Sequence, residues 1–381
     1  MENGKKKILQ IAGGFRDNVN GKPVSGGVPS FLYSYCMRAN KEKYSFDFLA
    51  IKNQCFEPYR EEFEDNGWKL YSFNLTSNGI KRALQTIIYL YKLIRQNNYD
   101  AIHINMGSFF PVLTCAIAAK LSGVKIIIAH SHSSGMYSKR KYIIKNILSP
   151  LLTIFATEYC ACSKIAAENL FSKRIIREKK YRIINNAIDS SKFVYNADVR
   201  IDIRNKYNIL DIYIVIGHVV RFVEVKNHTF LIEMFKEIHK SVPNTKLLLV
   251  GEGEMKEKIY NLAEQMHISN AVIFAGQQRN VCDYYQAMDI FVLPSIVEGL
   301  GIVAIEAQAA GLPCYVSDNV PNEVAISDMC EVFKLADGPD FLANRIVKRN
   351  LPIERKNMEN LIKEAGYDLK SNIAIFENLY E

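Results

Sequence analysis

Short apolar, β-branched runs alternate with longer stretches of amphipathic spacing along almost the whole chain. That alternation is the pattern of a parallel sheet flanked by helices. In the first half the runs predict strands at 7–12, 46–51, 68–73, 101–105, 125–130 and 158–162, with the clearest helical spacing over 80–95. In the second half strands are predicted at 212–216, 246–250, 271–275, 290–293 and 313–316, separated by helices at 229–240, 254–266 and 301–310. The turn-rich stretch 185–189, NNAID, interrupts the alternation and leads into polar sequence up to about 205. The expected division is therefore a first domain at 1–188, a second at 189–367, and a closing helix over 368–381. That helix has no strand partner and is expected to cross back to the first domain. Both domains are expected to be doubly wound α/β units facing each other, with ligands bound beyond the strand ends where strand order reverses. Functional residues should then lie in loops just after strands.

Composition narrows the classes. A chain of 381 residues is too long for one ordinary core, and it has no uncharged apolar run long enough to span a membrane. The N-terminal MENGKKKILQIAGGF reads as a first strand and not as a secretory signal. Eight cysteines without framework spacing, mostly inside apolar segments, suit reduced thiols and a cytoplasmic location. Cys160 and Cys162 lack a neighbouring third ligand, so neither a metal nor another cofactor is expected.

The net charge of +8 gathers at Lys139, Arg140, Lys141 and Lys145 and again between Lys173 and Arg182. Any one cluster is adequately explained as a solvated face. Together, with Tyr142, Ile143, Ile144 and Leu148 nearby, they suit peripheral docking to an anionic membrane surface. Nucleic acid is not expected, because no aromatic-basic recognition motif is present.

Four segments carry the candidate chemistry. The first loop contains Gly14 and then Gly26 and Gly27 before a helix, where backbone N–H groups can approach an anion. The spacing is not that of a dinucleotide fingerprint. The segment 217–228, GHVVRFVEVKNH, offers Arg221 and Lys226 as a clamp for a diphosphate. The segment 289–313 holds Glu298 in a glycine-bearing turn and Glu306 eight residues on. If helix joined them they would stand ~12 Å apart, too far to share a proton but suited to two ends of a long ligand. Finally, His130 and His132 follow an apolar strand and could donate to a substrate hydroxyl or exchange a proton. His130 is the nearer to the strand, His132 is the alternative, and His103 reads as structural.

These residues resemble the retaining glycosyltransferases of family 4, which have the GT-B architecture. Glu298 to Glu306 is similar to that family's E-x7-E motif. Arg221 and Lys226 fall on its diphosphate-binding Arg and Lys, and Gly26 and Gly27 on its N-terminal Gly-Gly loop. Gly251, Glu252 and Gly253 match a turn common in the family, and 185–189 its hinge, with Asn185 and Ala187 in place of proline and glycine. A Gly-Gly-x-x-Glu stretch often found in the family is replaced by NVPNE at 319–323.

The resemblance implies that Glu298 and the backbone of Gly299, Leu300 and Gly301 hold the donor sugar, and Glu306 the ribose. Arg221 and Lys226 would meet the departing diphosphate, Asn280 and Val281 would border the base, and His130 or His132 would touch sugar or acceptor. The implied partners are a nucleoside-diphosphate sugar, UDP-linked by preference, and a glycan or lipid-linked acceptor. The implied reaction is metal-independent transfer with retention in bacterial exopolysaccharide or capsule synthesis. Two rivals are a nucleotide-sugar epimerase of the same architecture and a non-catalytic nucleotide-sugar-binding subunit.

Overall fold

The structure, a computed structural model, describes residues 4–13, 18–19, 22–23, 27–51, 55–74, 79–132, 139–349 and 354–381. The chain divides into two compact units, Met1–Asn186 with Leu369–Glu381, and Ala187–Asp368. The breaks thus fall at 186/187 and 368/369, two residues before and one residue after the boundaries read from sequence.

The first unit is built on seven parallel strands: β1 (Lys6–Gly13), β2 (Tyr44–Ile51), β3 (Leu70–Phe73), β4 (Ala101–Met106), β5 (Ile126–Ser131), β6 (Glu158–Ala161) and β7 (Arg182–Ile183). They lie in the order β3-β2-β1-β4-β5-β6-β7, so the winding reverses between β1 and β4. Central strands such as β1 and β4 are buried on both faces, which is why they read as continuous apolar runs. Polar residues break those runs at chosen places. The register sets Gln10 of β1 beside His103 of β4, and Asn105 of β4 beside His130 of β5.

Three helices of this unit matter below: α1 (Gly27–Arg38), α2 (Gly79–Asn97) and α3 (Lys139–Leu148). The closing helix, Leu369–Glu377, packs on α1 and belongs to this unit. Phe376 lies against Phe31, Tyr35 and Phe46, while the Tyr380 carbonyl accepts from Lys6 Nζ at 2.7 Å.

The second unit repeats the same winding. Strands β8 (Ile214–Val219), β9 (Thr245–Val250), β10 (Val272–Gly276), β11 (Ile290–Leu293), β12 (Cys314–Ser317) and β13 (Cys330–Phe333) run parallel in the order β10-β9-β8-β11-β12-β13. Both faces are covered, with Val215, Leu248 and Phe291 in one apolar cluster and Ile216, Leu247 and Ile290 in the other. The switch between β8 and β11 places the loops after those two strands together. Asp289 anchors the start of β11: its carboxylate accepts from Arg200 and Arg204, each at 2.7 Å, and from the Val215 N–H.

The strand β8 runs further than the sequence indicated, and Gly217, His218 and Val219 belong to it rather than to the following loop. Gly217 makes room there for the Met288 side chain, which a Cβ standing 2.0 Å from its Sδ would force to move. Short β7 and edge strand β13 were not anticipated.

Candidate functional site

The loop after β8 presents Arg221 and Lys226. Its first part is clamped by the turn at Gly251 and Gly253, whose Cβ atoms would fall 1.9 Å from the Val220 carbonyl oxygen and 2.2 Å from that of Phe222. Hydrogen bonds from Val220 N–H to Val250 O and from Phe222 N–H to Glu252 O complete the clamp, so the backbone of Arg221 is held on both sides. The loop ends at Asn227 in left-handed backbone (φ 56°), which opens the helix α4 (His228–Ser241). Arg221 and Lys226 are both half-buried.

The loop after β11 carries Glu298. Its Oε2 lies 2.5 Å from Lys226 Nζ, and Ile296 N–H donates to Val225 O at 2.8 Å, so the two loops are tied by side chain and backbone. This direct ion pair is new; the sequence assigned the two residues to different parts of a ligand. Glu298 is not helical, since the next helix, Ile302–Ala309, starts after Gly301. The premise of one continuous helix between Glu298 and Glu306 therefore fails. Gly301 has φ +86° and a Cβ there would meet Val320, which accounts for glycine at the helix entry. Gly299 is exposed with open space around its Cα. Leu300 is buried in the apolar cluster, so only its backbone is left to face a ligand.

Glu306 stands in the first two turns of that helix, half-buried. Burial pushes its carboxyl up to about 7, against the opposing effect of a 2.8 Å hydrogen bond donated by Tyr285. Tyr285 comes from the helix Val281–Ala287, which Asn280 precedes and Val281 opens. The sequence drew attention to Asn280 and Val281 and overlooked Tyr285, whose ring is fully buried and whose hydroxyl makes the contact with Glu306. Two further buried side chains, His218 and His228, pack ring to ring at 4.9 Å beside this loop. Desolvation lowers them to about 4 and about 2, so both are neutral imidazoles at neutral pH.

In the first unit His130 is the penultimate residue of β5 and is buried. Its Nδ1 lies 3.0 Å from His103 Nε2, so His103, read as structural, touches the candidate residue directly. His132 packs 4.0 Å from the His130 ring and pairs through Nε2 with Asn105 Oδ1 at 3.0 Å. Gly27 starts α1 with open space beside it, whereas Gly14 and Gly26 lie outside the described residues.

Of the basic cluster read as a membrane contact, Lys145 is a correction: it is buried and donates to the carbonyls of Glu168 and Phe171. The side chains of Lys139, Arg140 and Lys141 lie outside those described. No described helix is long and apolar enough to cross a membrane.

Comparison with known proteins gives the family and the fold. Residues 25–192 match the family described as Glycosyltransferase Family 4, and residues 199–333 match Glycosyl transferases group 1. The EpsF protein of Bacillus subtilis is 27% identical over 388 residues, covering 100% of this chain and 97% of that protein. An Escherichia coli UDP-Gal:alpha-D-GlcNAc-diphosphoundecaprenol alpha-1,3-galactosyltransferase is 27% identical over 316 residues, covering 78% of this chain and 79% of its own. The crystal structure of Anabaena HepE in complex with UDP and glucose superposes with a TM-score of 0.71 at 16% identity, covering 98% of this chain and 99% of that one. That likeness gives the fold as GT-B. With two family matches that together span most of its length, the chain belongs to the family 4, group 1 glycosyltransferases.

Proposed function

We propose that this glycosyltransferase moves a sugar from a uridine diphosphate donor to an acceptor hydroxyl, with retention and without a metal, in the synthesis of a bacterial surface polysaccharide. The observation that carries the reading is the Lys226–Glu298 pair at the switch point of the second unit, with Glu306 in the helix that follows. A cation and a carboxylate held against each other can each exchange the other for a ligand group. Lys226 would turn to the diphosphate, and Glu298 to hydroxyls of the sugar. Glu306, partnered by Tyr285, would accept from the ribose hydroxyls. The UDP in the HepE complex and the UDP-Gal in the name of the Escherichia coli relative support a uridine donor.

In the reaction so read, the bond from the anomeric carbon to the diphosphate oxygen breaks and its electron pair leaves with the diphosphate. Arg221 and Lys226 meet that charge where it grows, in a partly desolvated site. The acceptor oxygen bonds to the same face of the sugar, and its proton passes to the departing phosphate oxygen. No carboxylate is required as a covalent nucleophile. His130 contacts sugar or acceptor from the first unit.

We also propose a lipid-carried acceptor and docking to an anionic membrane surface. The support lies mainly in α2. Ile80, Leu84, Ile88 and Tyr91 form one exposed stripe on it, with Ile80 81% accessible. Lys81, Lys92 and Arg95 flank the stripe, and the helix has no acidic residue.

The deciding experiment measures turnover of a panel of UDP-, GDP- and ADP-sugars with and without acceptor, following the anomeric signal of the product by NMR. Preferential use of a UDP-sugar with the donor configuration kept in the product supports the reading. An inverted product or an epimerised donor overturns it, and so does tight donor binding with neither transfer nor hydrolysis.

A further inference from the structure

A chain of buried polar side chains in the first unit runs from the closing segment to His130, and its direction can be derived. Asn105 Nδ2 lies 3.1 Å from the His103 carbonyl oxygen. A carbonyl only accepts, so the amide of Asn105 must present its nitrogen there, and its oxygen faces the other way. That oxygen accepts from His132 Nε2 at 3.0 Å. The second hydrogen on Asn105 Nδ2 goes to Gln10 Oε1 at 3.0 Å, which turns Gln10 Nε2 towards the Tyr380 hydroxyl at 2.8 Å. Tyr380 thus accepts from Gln10, and its single proton is available for His103 Nδ1, 2.8 Å away.

The remaining links follow once that proton is given to His103 Nδ1, the other hydrogen-bond partner of the Tyr380 hydroxyl. Both histidines are fully buried, and desolvation holds them well below their ordinary value, so each carries one ring proton. With Nδ1 accepting from Tyr380, His103 bears its proton on Nε2 and donates it to His130 Nδ1 at 3.0 Å. His130 must then carry its own proton on Nε2. That atom is buried without a hydrogen-bond partner among the described residues. Phe31 packs edge-on against the ring at 5.3 Å, which restrains it from turning over.

We propose that Tyr380 is a positioning residue which, through His103, holds His130 as the Nε2–H tautomer, a neutral donor for an oxygen of the bound sugar or acceptor. The proposal rests on the reading of His130 as a sugar or acceptor contact. It adds a specific chemical role: His130 donates a hydrogen bond and does not take the acceptor's proton. The backbone carbonyl of His103 sets the direction of the whole chain.

The test is a long-range proton–nitrogen NMR spectrum of the full-length protein labelled with 15N-histidine, without ligand. The chain has seven histidines, and His130 and His103 are assigned by the signals lost in His130→Gln and His103→Gln. In the wild type both are expected to be protonated on Nε2 and bare on Nδ1. In Tyr380→Phe the constraint is removed, and both rings should show mixed tautomers, with turnover reduced by about threefold to tenfold and KM for donor little changed.

A wild-type His130 protonated on Nδ1 overturns the proposal, and that result needs no variant to fold. Unchanged tautomers in a folded Tyr380→Phe protein overturn the part given to Tyr380. Because no donor is present, these outcomes are independent of whether the protein transfers the sugar proposed above.

Discussion

Replacing Glu306 with Gln removes a carboxyl that the native protein keeps protonated far above its ordinary range. The folded-state value is about 7 against an ordinary 4.5, and burial is the main cause. The native state therefore binds this proton more tightly than the unfolded chain does. The resulting stabilisation is complete below 4.5 and is lost as pH rises through about 7. Above both values the ionised native carboxylate costs about 3 kcal/mol, at ~1.36 kcal/mol per tenfold change in proton affinity.

Gln is neutral at every pH and keeps an oxygen for the Tyr285 hydroxyl. Relative to wild type, Glu306→Gln should thus gain stability as pH rises, by about 2 kcal/mol between about pH 5.5 and about pH 8.5. For a unit of this size that corresponds to a widening of the Tm difference by about 4–8 °C. Scanning calorimetry is the suitable assay, because the single tryptophan, Trp68, lies in the first unit and reports little on the second. A Tm difference that is constant or narrows with rising pH would refute the reasoning. Nucleotide affinity should move the other way, weaker in Glu306→Gln and strengthening with pH in the wild type.

Lys226→Ala should lose at least roughly tenfold in turnover, about 1.4 kcal/mol, if the ammonium meets the leaving diphosphate. Glu298→Ala should also lower turnover, and wild-type kinetics in both variants would remove them from the site. Activity should persist in excess chelator; loss that magnesium or manganese restores would show a metal requirement. Gly217→Ala should destabilise the second unit by about 1–3 kcal/mol through overpacking against Met288, and should cost less when made in a Met288→Ala background. An unchanged melting transition would contradict that packing. Binding to anionic vesicles should be salt-sensitive and fall in Leu84→Asp with Ile88→Asp; absence of wild-type binding would exclude the surface.

Much of the fold was legible because parallel strands buried on both faces leave continuous apolar runs. The strands that escaped are the exceptions to that physics: β7 has two exposed residues, and β13, CEVF, is a partly exposed edge. Gly217 was read as ending a strand when it makes room for a side chain 71 positions away, a contact that local pattern does not encode. The same holds for the site. Loop positions of Arg221, Lys226 and Glu298 followed from the strand–loop rule, but the 2.5 Å pair spans 72 positions. Tyr285 was missed because an apolar neighbourhood makes a buried Tyr look like ordinary core, and the sequence could place His103 as structural without showing that it touches His130.

The closing segment also has a consequence for biosynthesis. Tyr380 completes a polar cluster in which its direct partners, Gln10 and His103, lie 370 and 277 positions earlier. A ribosome must make the whole stretch 187–368 between them, 182 residues counting both bounds. At ordinary elongation rates that interval is roughly 10–40 s. The second unit is contiguous and can close as it emerges, whereas the first unit, although translated earlier, waits with Phe31, Phe46 and Gln10 uncovered. The unit begun first is the unit finished last, and during that delay the nascent chain depends on whatever shields its unfinished sheet.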